Sequence, residues 1–164
     1  MTQRRIAQTL EELPDMTELF SRSGEEFIQA ILDGDLAGPP IGETLGFTLH
    51  DVSKGRVVFE GTPEFRATNP LRTVHGGWYG TILDSCMACA VQTTLPKGST
   101  YTTLEYKINV VRSIPLGMTV QAVGTVQHVG RSTGVAVGEL RGKEDGKLYA
   151  TGSTTCIVMQ MPKD

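Results

Sequence analysis

Apolar positions along the chain follow two different spacings. Within residues 24–33, Phe27, Ile28, Ile31 and Leu32 recur at helical intervals, and Gly34 followed by Gly38-Pro39-Pro40 ends that segment. From Glu43 the period becomes two. Leu45, Phe47 and Leu49 alternate with Thr44, Gly46 and Thr48, and Lys54-Gly55 turns the chain into residues 56–60, which predicts a hairpin. Residues 75–94 carry almost no charge and are rich in small side chains, and their length predicts a helix that is apolar nearly all round. Lys97-Gly98 closes it. Over 101–112, Leu104, Tyr106, Ile108 and Val110 share one face of a strand, with Thr103, Glu105, Lys107 and Asn109 on the other. Three more strands follow at 118–129, 133–141 and 147–159. Gly130-Arg131-Ser132 and the tight-turn pair Asp145-Gly146 separate them, so they read as an antiparallel meander. A curved antiparallel sheet buries a helix of this kind by wrapping around it, which predicts an α+β fold. Residues 1–40 read as an N-terminal helical extension and 41–164 as the sheet-and-helix domain.

Composition narrows the function. The 164 residues suit one domain, and 39% hydrophobic with 20% charged residues supports an ordinary globular core. A net charge of −3 with no Lys/Arg cluster gives no field for nucleic acid. No apolar h-region follows Arg4-Arg5, and no stretch approaches the roughly 20 apolar residues of a membrane span. The expectation is a cytoplasmic protein without nucleic-acid or membrane partners. Three cysteines, an odd number in a chain of this size, fit a reducing compartment.

Asp84 is the one formally charged residue in the 75–94 helix. A carboxylate there needs partners, a raised pKa or a cavity to face; the plain alternative is a thin solvated face or bonds from a neighbouring loop. At the helix start, Gly76-Gly77 lets a ligand approach the backbone, and the free N–H groups of a helix N-terminus favour a developing oxyanion. Gly-Gly alone often only makes a turn. A histidine, backbone donors and a carboxylate together describe ester or thioester hydrolysis. Gly76 and Asp84 are eight positions apart, about 12 Å along a helix, too far for one carbonyl to touch both. Two such helices lying antiparallel across a two-fold axis would close that gap, which predicts a homodimer with shared active sites.

These residues form a larger pattern: Asn69, then His75-Gly76-Gly77 six positions on, Asp84-Ser85 nine positions after the histidine, and a strand Thr103-Leu104-Glu105-Tyr106-Lys107-Ile108-Asn109. The pattern resembles the hotdog-fold acyl-CoA thioesterases of the phenylacetate-pathway (PaaI-like) type, over about 41–159. The resemblance implies a curved antiparallel sheet around a long central helix, a two-fold dimer that often pairs again into a tetramer, and hydrolysis of an acyl-CoA with no metal and no cofactor beyond the substrate's own coenzyme A. Carried over by position, Asn69 and the Gly76 N–H would polarise the thioester carbonyl, and His75 would hold that loop. Asp84 of the partner would act as general base or nucleophile, and Thr103 would orient it. Thr102 is adjacent, and a bulge would exchange the faces of the two. Gly77, Trp78 and Arg131 are the candidate substrate-binding residues, with Lys97 a second candidate beside Arg131 for the CoA phosphates.

Other features take plainer readings. Cys86 and Cys89 lack further zinc ligands and a thioredoxin-like flank and read as core residues. His50 and His128 lie in strand patterns without acidic or cysteine company. Ser85 lacks a Gly-x-Ser-x-Gly elbow. The stripe of residues 27–32 reads as a cover for a sheet edge or an acyl channel, where it would limit substrate length. Two other functions suit the same fold: an enoyl-thioester hydratase or dehydratase, and a non-catalytic acyl-CoA-binding module.

Overall fold

The computed structural model describes residues 4–161. Helices α1 (Met16–Ser21), α2 (Gly24–Asp33) and α3 (Ile41–Leu45) precede strands β1 (Phe47–Ser53) and β2 (Arg56–Gly61). The long helix α4 (Gly76–Gln92) follows, then β3 (Ser99–Val110), β4 (Val120–Val129), β5 (Thr133–Gly142) and β6 (Leu148–Gln160). Ser23 starts α2 with a capping box, its side chain accepting from the Glu26 N–H while the Glu26 carboxylate accepts from the Ser23 N–H; Gly34 ends α2 in the left-handed region at φ 85°. Residues 43–45, expected to begin the first strand, are instead helical. Their alternation is too short to outweigh the turn that Pro40 starts and Gly46 closes at φ 75°.

All six strands pair antiparallel in one curved sheet, ordered β1-β2-β4-β5-β6-β3. The meander β4-β5-β6 is as expected. Strand β3 does not neighbour β4, however, because the connection over 111–119 is long enough to cross the sheet; β3 pairs with β6 and forms one edge.

Helix α4 lies against the sheet, with Ile82, Leu83, Cys86, Met87 and Val91 fully buried at its core. Glycines set the distance of approach. Gly124 pairs with Gly138, and Gly138 with Gly152, so a line of glycines crosses β4, β5 and β6 under Cys86 and Met87. A Cβ at Gly124 would collide with the Cys86 carbonyl, and one at Gly138 would lie 2.9 Å from Met87 Cγ. On its other side α4 meets α2, where Ile28 packs with Leu49, Val57 and Ala90. The result is the hotdog arrangement.

Strand β3 carries a bulge that positions the site. Thr103 pairs with Cys156 and Glu105 with Thr155, leaving Leu104 as the extra residue, 58% exposed. The bulge reverses the strand's phase. Tyr101 and Thr103 face α4 before it, and Tyr106 and Ile108 after it. The expected faces, with Thr103 opposite Leu104 and Ile108, hold only beyond the bulge. No helix among the described residues is long and apolar enough to cross a membrane.

Candidate active site

The site begins at the N-terminus of α4. His75 is the N-cap, extended at φ −63° and ψ 138°, and its Nδ1 accepts the Gly77 N–H at 2.8 Å. Accepting at Nδ1 places the ring proton of the neutral imidazole on Nε2. The cap thereby uses the second donor of the helix and leaves the first: the Gly76 N–H has no acceptor among the described residues. Gly76 is exposed, with open space where a side chain would be. Upstream, Asn69 holds the approach to this turn. Its Oδ1 accepts the N–H groups of Leu71 and Thr73 at 2.9 and 3.2 Å, and its Nδ2 donates to Thr73 Oγ1 at 2.9 Å. The loop then rejoins the helix as the His75 N–H donates to the Ala67 carbonyl at 2.8 Å.

Asp84 lies two turns along α4. The Thr103 hydroxyl donates to its Oδ1 at 3.0 Å, a bond that depends on the β3 bulge. Burial pushes the Asp84 carboxyl above its ordinary value, and the Thr103 hydroxyl partly offsets this. Asp84, Ser85, Ala88 and Cys89, on one face of the helix, form part of the wall of a cavity of about 280 Å³. The remaining wall is largely apolar: Phe47 and Leu49 of β1, Phe59 of β2, Tyr101 of β3, and Ile28 and Ile31 of α2. Tyr101 and the apolar strand residues were not among the site residues expected from sequence; their hydrophobicity looks the same whether they face a core or a cavity.

Gly76 opens elsewhere. It lines a shallow hollow with Thr73, Val74, Tyr79 and residues 110–113, and none of these lines the Asp84 cavity. The Tyr79 hydroxyl accepts the Ile114 N–H at 2.9 Å, which fixes the chain after β3 against this end of α4. Within the chain the structure therefore brings Thr103 to Asp84, and His75 and Gly77 to Gly76, with Asn69 bonded to Thr73 in the loop before them, and it keeps the Asp84 and Gly76 groups apart.

The other candidates fall outside both hollows. Trp78 is 3% exposed and its indole N–H donates to the Leu45 carbonyl at 2.7 Å, so it braces α3 against α4. Arg131 and Lys97 are exposed at turns. His50, read as having no acidic neighbour, lies 3.5 Å from Glu60 across the strand pair, and Lys143 forms an ion pair with the same carboxylate at 2.9 Å. Burial pushes the Cys89 thiol up to about 12 and Cys86 higher still, so neither is a ready thiolate.

A sheet wrapped around one long helix defines the hotdog fold, and here the helix has a backbone donor free among the described residues at its start and a carboxylate two turns on. The thioesterase superfamily model matches residues 71–149. A Caenorhabditis elegans protein described as an esterase is 30% identical over 105 residues, 64% of this chain and 62% of the relative, so the match spans less than two thirds of that relative's length. Human acyl-coenzyme A thioesterase 13 is 28% identical over 108 residues, 66% of this chain and 76% of its own. A phenylacetic acid degradation-related protein of Ralstonia eutropha superposes with a TM-score of 0.72 at 29% identity, covering 80% of this chain and 98% of that one. The chain shares the hotdog fold of these proteins and resembles the thioesterase superfamily and its PaaI-like members.

Proposed function

We propose that this protein hydrolyses an acyl-CoA thioester to the free acid and CoA at sites completed across a two-fold axis. The observation that carries the reading is Asp84, a half-buried carboxylate held by Thr103 on the wall of an apolar cavity. Coenzyme A chemistry is suggested by the likeness to the human acyl-coenzyme A thioesterase.

The chemistry follows from the donors and acceptors present. With Oδ1 engaged by Thr103, Oδ2 of Asp84 is left to accept a proton from water as that water attacks the thioester carbon. Direct attack by the carboxylate, giving a mixed anhydride that water then cleaves, uses the same oxygen. The carbonyl electrons move onto oxygen, where the partner's Gly76 N–H donates; the remaining Nδ2 hydrogen of that subunit's Asn69 is the second donor. Collapse breaks the C–S bond. A thiolate leaves without strong acid assistance, so this step needs no second acid. Water and the thioester are the only reactants, and no cofactor enters.

The dimer is supported by two features. Gly76 and Asp84 lie about 12 Å apart along α4 and open into different hollows. Edge strand β3 is twelve residues long and exposes Leu104, Tyr106 and Val110, which suits pairing with a second copy.

The test is thiol release across aromatic and aliphatic acyl-CoAs, with crotonyl-CoA included. Hydration of crotonyl-CoA without thiol release would overturn the reading in favour of a hydratase. Shared sites are tested by mixing two inactive variants, Asp84→Asn and Gly76→Pro. Random re-pairing makes half of the dimers mixed, each with one intact site of two, so activity should return to about a quarter of wild type. No recovery after verified subunit exchange would mean that each site lies within one subunit.

A further inference from the structure

Building on the acyl-CoA reading, we propose that the N-terminal strap over residues 4–7 sets the length of acyl chain accepted, with Ile6 as the stop. The cavity beside Asp84 is not closed by the sheet and α4 alone. Arg4, Arg5 and Ile6 line it together with Ile28, Ile31 and the segment around Gly38. Backbone bonds hold the strap in place: the Gly38 N–H donates to the Arg5 carbonyl at 2.9 Å, the Ala7 N–H donates to the Gly38 carbonyl at 3.0 Å, and Ile6 forms a parallel bridge with Gly38. Gly38 makes this possible. A Cβ there would lie 3.2 Å from Ile31 Cγ2, tight enough to require a small shift, and 3.6 Å from Ile6 Cδ1, so glycine lets the strap lie close against α2.

Packing alone does not account for this arrangement. Ala7 is anchored at 2% exposure, whereas Ile6 stays half-buried and borders space that no side chain fills. Native interiors leave few voids larger than a water molecule, so an apolar cavity of about 280 Å³ under a stitched strap is suited to a ligand. An apolar cavity of about 150 Å³ holds benzene, and by that scale this one takes an unbranched acyl group of roughly six to ten carbons. Apart from Asp84, Glu43 and the two strap arginines, the wall is largely apolar, and that apolar part recognises chain length. Ile6 is outside both clusters of the main core, so changing it alters the cavity's outer wall without unpacking α4.

The experiment uses the full chain and a ladder of saturated acyl-CoAs from butanoyl to tetradecanoyl. kcat/KM is read by thiol release for wild type, Ile6→Ala and Ile6→Trp. Binding is read by calorimetry on the same three backgrounds carrying Asp84→Asn. Each buried methylene is worth about fourfold. Ile6→Ala should therefore raise the preference for chains two carbons beyond the wild-type optimum by about fifteenfold, and Ile6→Trp should move the optimum to shorter chains. Identical length profiles in all three proteins would overturn the proposal, as would binding that ignores chain length. Absence of thiol release with a binding ladder that shifts as stated would remove the hydrolytic reading and leave the strap's role supported. Absence of both would overturn the two together.

Discussion

Replacing Asp84 by Asn separates the working carboxylate from a structural one. The amide nearly matches the carboxylate in shape, and its oxygen still accepts the Thr103 hydroxyl now bonded at 3.0 Å, so the geometry of α4 against β3 should survive. What is lost is the proton acceptor. General-base catalysis contributes about 10²- to 10⁴-fold, which sets the expected drop in kcat; at about 1.4 kcal/mol per factor of ten this is roughly 3 to 5.5 kcal/mol of transition-state stabilisation. Stability should change in the opposite sense. Burial raises the folded-state pKa of Asp84 above its ordinary 3.8, so the fold favours the protonated form. Its contribution is fully present below the unfolded value and is lost as pH rises through the folded one. Asn stays neutral throughout. The variant should therefore match wild type in strong acid and melt at a higher temperature near neutral pH, the gap opening as pH passes from 3.8 through the raised value. Thiol release and thermal melts across that range decide the matter. A variant that keeps its rate, or that melts below wild type at neutral pH, would refute the argument.

Three further outcomes are expected. Gly76→Pro deletes the free N–H at the first helical position, where proline is well tolerated and where His75, at ψ 138°, already has the backbone a following proline requires; kcat should fall about 10²- to 10³-fold with the melting temperature nearly unchanged, whereas Gly76→Ala, which keeps the N–H and meets open space, should stay active. Thr103→Val removes the hydroxyl that stabilises the Asp84 carboxylate, so the acid limb of the kcat/KM profile should move to higher pH; an unmoved limb would show that Thr103 does not tune the base. Gly124→Ala forces a methyl group against the Cys86 carbonyl and should cost about 1–3 kcal/mol in denaturant unfolding, with α4 and the sheet pushed apart.

Much of this molecule is written in local spacing. The apolar run from Trp78 to Val91 requires a helix that is buried on most sides, Asp84 is visible in it as a charge needing a reason, and Asp145-Gly146 marks the β5-β6 turn. Caps and periods depend on neighbours a few positions apart, so one strand of sequence carries them. The features that build the site depend on pairings across the fold. Thr103 faces Asp84 because a bulge at Leu104 changes the phase of β3, and a bulge exists only relative to the partner strand β6. Gly124, Gly138 and Gly152 are scattered in sequence and become a groove for α4 only when β4, β5 and β6 are in register. Likewise, Ile6 and Ile31 line one cavity because the strap pairs with Gly38 beside α2. Sequence by itself determined the helix and the residues able to do chemistry. Tertiary structure decided which of them meet and which open into separate hollows, because register and close approach are properties of pairs of segments and no single segment encodes them.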